Sequence, residues 1–387
     1  MSYQITPEPV NTRWDDSRLG WLGLAWHEKF GPASLSKLHK YYGFEGGAKA
    51  WEAGQKQLTE AQINPKFIKD FITWRQNIKL NDLRQQLDSQ GINFISPWDK
   101  VYPAPLKQIH TAPGALFWRG SPMDSRPWVS VVGTRKMSTY GKRACESIIT
   151  GLVARGAGIV SGLALGIDGT AHKSALEQQG ITIAVLGSGV DDESIYPSAH
   201  QKLAEQILLT GGAIISEFPP KTQGLPHHFP QRNRIIAALG RATVVVEAGL
   251  KSGSVLTAKN ALEAGRDVFA VPGPITSETS RGTHELIRQG ASICESAADI
   301  LNQGTAAQNT EPPATPSLGR ELSTDERNIL DLCRTATHVD DLARHINTSA
   351  ASVASTCMSL ELIDALHDTG GQTYELTQIG RQLLNMV

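Results

Sequence analysis

Arg232, Asn233 and Arg234 stand side by side in a stretch, residues 219–245, that holds no aspartate or glutamate and also carries Lys221 and Arg241. Guanidinium groups grip phosphate oxygens through paired N–H donors, and an asparagine amide can donate to a phosphate or to a base edge. That chemistry holds a polyanion; it breaks no bond. Arg135 adds a cation in Gly133-Thr134-Arg135. Glycine and serine recur in similar turns, as Gly187-Ser188-Gly189 and as the run from Gly249 that includes Lys251 and Ser254. Such turns let a backbone approach a ligand closely, and free amides at a helix start attract anions. Two alternatives stay open. Arg232 and Arg234 could pair with acids at strand ends, such as Glu217 and Glu247, and any single glycine turn could be a tight strand-to-helix connection.

Bond-breaking chemistry finds little support. Gly187-Ser188-Gly189 is followed by Val190, Asp191 and Asp192, where a dinucleotide fingerprint needs a third glycine and where carboxylates would repel a pyrophosphate. Seven residues separate Gly133 from Gly141-Lys142, where a P-loop needs four. Asp168 and His172, four apart on a helix, could form an acid–base or metal pair; the alternative is that Asp168 caps the helix and His172 packs locally. Ser161 and Ser254 lack the G-x-S-x-G context of an activated serine, and His227-His228 have no third metal ligand nearby. The four cysteines, Cys145, Cys294, Cys333 and Cys357, form no C-x-x-C and read as reduced, buried thiols. No catalytic residue, metal or cofactor is expected.

The elements that must position these residues alternate. WVSVVG, GIVSG, TIAVLGSG, AIISEF, ATVVVEA and DVFAVPG are short β-branched runs, each followed by a helical pattern. Near-continuously apolar strands joined by helices predict an α/β domain, a Rossmann-like, doubly wound and mainly parallel sheet covered on both faces. Ligands of such sheets bind outside the carboxyl ends of the strands, where all the turns above fall. Around this domain, taken as residues 98–303, the pattern predicts an N-terminal helical domain over 1–97, a Pro- and Thr-rich linker over 304–317, and a winged helix over 318–387. In the winged helix, residues 349–366 read as the recognition helix, with LHDTGGQTYELT as the wing.

A formal net charge of −1 over 387 residues hides an asymmetry, +2 for residues 1–97, +2 for 98–317 and −5 for 318–387. A basic footprint must therefore be local. Duplex DNA would repel the winged helix, which is expected to serve protein contact or to modulate a dimer; the alternative is a surface-packed appendage with no partner. With no apolar run long enough for a membrane span and no export signal at the N-terminus, the chain is expected in the cytoplasm.

The motifs VVGTRKMSTYG, IVSGLALGIDGTAH, TIAVLGSGVDDESIYP, IISEFPP, FPQRNRIIAALGRATVVVEA, SGSVLTAKNALEAGRDVFAVPG and RGTHELIRQGA run in order through residues 128–291. In them the chain closely resembles the DNA-processing protein A (DprA, or Smf) family; the flanks, similar to a sterile-alpha-motif-like domain and a winged helix, match by pattern. The resemblance implies a non-enzymatic protein of natural transformation. Such a protein binds and shields incoming single-stranded DNA, loads the RecA recombinase onto it, and forms a homodimer through the Rossmann-like domain. It also implies phosphate contacts at Arg135, Arg232, Asn233 and Arg234, while Ser198 follows Tyr196-Pro197 where some members carry lysine. The alternative is a Rossmann-type nucleotide-hydrolysing or phosphoribosyl-cleaving enzyme. Those enzymes carry Pro-Gly-Gly-x-Gly-Thr, where this chain has Gly249-Leu250-Lys251-Ser252-Gly253-Ser254.

Overall fold

The computed structural model describes residues 14–301, 322–363 and 365–384. The linker expected over 304–317 lies outside them. The chain divides into two compact units, Met1–Gly304 and Thr305–Val387.

In the first unit nine strands form one sheet: β1 (Asn93–Ile95), β2 (Leu116–Gly120), β3 (Trp128–Val132), β4 (Gly158–Ser161), β5 (Thr182–Leu186), β6 (Ala213–Ser216), β7 (Ala242–Val245), β8 (Asp267–Ala270) and β9 (Ser292–Ile293). Their order is β1-β2-β6-β5-β4-β3-β7-β8-β9. From β6 to β9 every pair is parallel, while β2 runs antiparallel to β6, and β1 to β2. The six strands expected from the β-branched runs are β3 to β8. Each is apolar almost throughout because both faces are covered. Ile183 and Val185 of β5 pack with Ile235 and Ile236 of the helix His228–Leu239, whereas Ala184 and Leu186 belong to the core on the other face. The chain winds outward from β3 to β6, then returns to β7 on the other side of β3. That reversal opens a crevice between β3 and β7, the place where doubly wound sheets bind ligands.

The N-terminal helices, among them Asp16–Trp26, Pro32–Tyr42 and Pro65–Arg75, pack directly on this sheet. Trp21, Leu38 and Phe71 share one core with Phe117, Leu186 and Ile214. The division expected after residue 97 thus falls within continuous packing, just past β1. The prolines at 97, 103 and 105 that suggest a boundary sit in the connection between β1 and β2, which carries the short helix Ala104–Lys107. β1, three residues long, is too short to show a period of its own.

The second unit is a winged helix. Helices Thr324–Leu332, Val339–Ile346 and Ala350–Leu362 precede the wing strands β11 (Leu366–Asp368) and β12 (Thr373–Leu376), and β10 (Thr337–His338) pairs with β12. Ser323 and Glu326 close a reciprocal capping box on the first helix. The recognition helix ends at Leu362, short of the expected 366. Leu366 pairs instead with Leu376 across the wing and is buried in a core that includes Ile329, Leu342, Cys357 and Tyr374. All four cysteines are free and buried.

Candidate nucleic-acid interface

Gly133 opens the turn after β3 that carries Arg135. A Cβ on Gly133 would lie 2.5 Å from the Ile167 side chain, so the turn passes the helix Ile167–Glu177 only as glycine. Glu247, after β7, anchors the turn from the other side. Its carboxylate accepts from Ser138 N at 2.8 Å, Ser138 Oγ at 2.6 Å and Thr279 Oγ1 at 2.9 Å, and its carbonyl accepts from Thr134 N at 2.7 Å. The sequence suggests Glu247 as a partner for arginine; its partners are hydroxyls and amides. On this anchored turn Arg135 is exposed, its guanidinium 5.2 Å from the centroid of the Phe229 ring.

Arg232 behaves differently. Only 4% exposed, it donates from Nη1 to Gly162 O at 2.6 Å and to Val185 O, and from Nε to Asn233 Oδ1 at 3.3 Å. Gly162 has no side chain because the guanidinium lies 2.7 Å from where a Cβ would be. Burial lowers the Arg232 pKa to about 10, against the opposing pull of Asp168. Arg232 therefore ties two strand ends together. Arg234 takes the acid-pairing alternative left open by the sequence, bonding Glu217 at 2.6 Å in a largely buried contact. Burial raises the Glu217 carboxyl above its ordinary range, with Arg234 opposing. Both arginines belong to the helix His228–Leu239. At two residues' separation they stand roughly 200° apart around its axis and cannot serve one surface.

Asn233 links this helix to the next. Its Nδ2 donates to Gly253 O at 3.2 Å, at the start of the helix Gly253–Glu263. Ser252 caps that helix, its Oγ accepting from Ser254 N at 3.4 Å and bonding Ser254 Oγ at 2.7 Å. Asp168, 5% exposed, accepts from Gly162 N at 3.1 Å and so braces the loop before its helix, whose N-cap is Gly166. Burial raises its pKa, with the Arg232 charge opposing. His172 is a core group. Thr182 Oγ1 donates to Ile159 O at 3.0 Å, so it accepts from His172 Nδ1 at 2.7 Å, and burial lowers the imidazole to about 3. His228 stacks on Phe218 at 4.1 Å and bonds Gly187 O through Nδ1 at 3.2 Å. Among the described residues no three His, Cys, Asp or Glu side chains group as a metal site.

A cavity of about 450 Å³ opens at the β3/β7 crevice. Of the sequence-predicted residues it brings together Gly133, Arg135, Arg232, Asn233 and Ser254. It leaves out Arg234, Lys251, Gly187, Ser188 and Gly189. Lys251 is exposed on the neighbouring loop, whereas Gly187, Ser188 and Gly189 are buried, with the Phe229 ring 3.0 Å from where a Gly187 Cβ would be. Asp168, Tyr196, Phe229, Ser252, Gly253 and Thr257 complete much of the lining. Ser252 and Gly253 carry the capping signal of a serine before a helix, which could have marked them in the sequence. Pro226 and Pro230 also line the cavity and carry no such signal.

The sequence model of DNA recombination-mediator protein A matches residues 93–305, which include every residue lining the cavity. The chain belongs to the DNA recombination-mediator protein A family. The DprA winged helix domain matches residues 311–372. Among relatives of this family member, Protein Smf of Escherichia coli is 45% identical over 216 residues, 56% of this chain and 57% of that protein. DNA processing protein DprA of Streptococcus pneumoniae is 42% identical over 224 residues, 58% of this chain and 78% of that protein. The X-ray structure of the Streptococcus pneumoniae protein superposes with a TM-score of 0.62 at 35% identity, covering 76% of this chain and 99% of its own. The match to the Escherichia coli relative thus spans a little over half of that protein's length.

Proposed function

We propose that this recombination-mediator protein binds single-stranded DNA across the carboxyl ends of its parallel strands. In this reading it shields DNA that enters during natural transformation, loads RecA onto it, and acts in the cytoplasm as a homodimer joined through the Rossmann-like unit. It is a binding protein rather than an enzyme, and uses no metal or nucleotide. The observation that carries the reading is Arg135: an exposed guanidinium, held over the Phe229 ring, lining a cavity that also receives the start of the helix Gly253–Glu263. The positive end of that helix's dipole and a fixed cation place two sources of positive potential on one rim.

Binding of a fluorescent oligo-dT, titrated with salt using chelator-treated, nucleotide-free protein, tests this. Salt-sensitive binding that weakens in Arg135→Ala is expected. Binding restored only by a metal or by ATP, or unchanged in Arg135→Ala at every salt concentration, overturns it. Asp168, a carboxyl in a cavity of nucleotide size, favours a second reading as a nucleotide-hydrolysing or phosphoribosyl-cleaving enzyme. Release of free base from nucleoside monophosphates would select that reading.

A further inference from the structure

Next to Arg135 the rim changes character. Leu165, in the loop after β4, is 47% exposed, Tyr196 48% and Leu225 43%. Single exposed apolar residues are ordinary, but these three border one opening. Leu165 and Tyr196 line a small hollow of about 40 Å³ that shares Arg135, Tyr196, Phe229 and Arg232 with the main cavity. Leu225 stands between Gly224 and Pro226, both in the main lining. A Cβ on Gly224 would lie 3.2 Å from Tyr196, so the segment carrying Leu225 runs against the tyrosine. The Tyr196 ring in turn meets Phe229 at 5.5 Å. An apolar strip is therefore continuous, through Phe229, with the surface on which Arg135 rests.

We propose that Leu165, Tyr196 and Leu225 form a base platform: phosphates of a bound strand meet Arg135 and the helix start, and the bases lie on the strip. This rests on the single-strand reading above and adds which side of the strand each surface takes. The chemistry separates along the rim. A phosphodiester needs donors and charge, which the Arg135 side supplies; an unstacked base needs apolar or aromatic area, which the other side supplies. A duplex keeps its base faces stacked inside and has nothing to lay on such a strip.

The test compares oligo-dT with an abasic oligomer of equal length, which has the same phosphates and no bases. Wild type is expected to bind oligo-dT at least tenfold more tightly, with the same dependence on salt, because the extra contacts are uncharged. The exposed double variant Leu165→Ser/Leu225→Ser should lose most of that difference, bind the abasic oligomer as wild type does, and melt at the wild-type temperature. Equal affinity of wild type for the two oligomers overturns the platform and leaves the single-strand reading standing, as does a double variant that binds oligo-dT undiminished. Failure of wild type to bind either oligomer overturns both.

Discussion

The turn at residues 133–138 and the helix start at 228–234 both bring arginine to the same crevice, and they use it oppositely. In the turn, Glu247 holds the backbone and leaves Arg135 in solvent over Phe229. On the helix, the backbone is already satisfied and the arginines are spent on the protein itself. Arg232 bridges the ends of β4 and β5, and Arg234 neutralises Glu217. The difference follows from where the chain has spare backbone acceptors. Strand ends expose carbonyls that must be paired once a helix buries them, and a guanidinium with five donors pairs several at once. Arginine in an acid-free stretch is thus as much the mark of a buried strand end as of a phosphate site.

Removing Arg232 should break this contrast most visibly. Arg232→Ala takes a charged donor from two buried carbonyls and exposes Asp168 to an uncompensated environment, at a cost of about 3 kcal/mol, read as a fall in the urea midpoint. Arg135→Ala should stay within about 0.5 kcal/mol of wild type. If Arg232→Ala is as stable as Arg135→Ala, the interior role assigned to it is wrong.

Interior charges should answer to pH where rim charges answer to salt. His172 has a folded-state pKa lowered to about 3, from 6.5. Between those values the unfolded chain binds a proton that the folded chain refuses, so this contribution is complete above pH 6.5 and is lost as pH falls toward 3. His172→Asn should flatten the dependence of stability on pH in that window, by at most about 1.4 kcal/mol per pH unit. Glu217 and Asp168, raised by burial, carry the opposite sign: their contribution is present at low pH and is lost as pH rises through their folded-state values. An unaltered pH profile in His172→Asn would show that the imidazole is not excluded from water as its contacts require.

Much of this was legible in the sequence. β-branched runs at regular spacing gave all six central parallel strands, and the turns after β3 and β7 do meet at one opening. Arg135, Asn233 and Ser254 were marked by type and by place at an element end. What escaped was orientation. Residues 187–189 have the composition of a ligand turn, yet His228 and Phe229 fold over them, and no local pattern reveals a long-range cover. Helical phase could have separated Arg232 from Arg234. β1 and β2 escaped because antiparallel pairing, of β2 with β6 and of β1 with β2, and not any periodicity of their own, makes them strands.

Rim electrostatics give the next effect. Arg135→Ala should weaken oligo-dT binding about tenfold at low salt and make the salt slope shallower by about 0.7, the share of one phosphate contact on a single strand. Arg234→Ala, whose charge is held by Glu217, should leave the slope as it is. A slope change in Arg234→Ala equal to that in Arg135→Ala would erase the distinction between the two segments.

The smallest effect is expected from the winged helix, and it extends the comparison to the second unit. Its recognition helix Ala350–Leu362 contains no lysine or arginine and exposes Ser352, Ser355, Met358 and Ser359. Nearby arginines are already engaged, Arg344 with Asp341 at 2.5 Å and Arg334 with Asp331 at 2.7 Å. A helix that reads a duplex needs donors for base edges and phosphates, and this one offers hydroxyls and a thioether beneath a net charge of −5 over residues 318–387. Ending the chain at Gly304 should therefore keep oligo-dT affinity within about threefold of full length, since the rim that supplies the electrostatic term is untouched. Residues 305–387 have a hydrophobic core of their own and can be tested alone. They should show no retardation of a duplex near physiological salt, where the repulsion between like charges is screened only in part. Tight duplex binding by that fragment, or a large loss on truncation, would mean that the second unit supplies DNA contacts its charge does not predict.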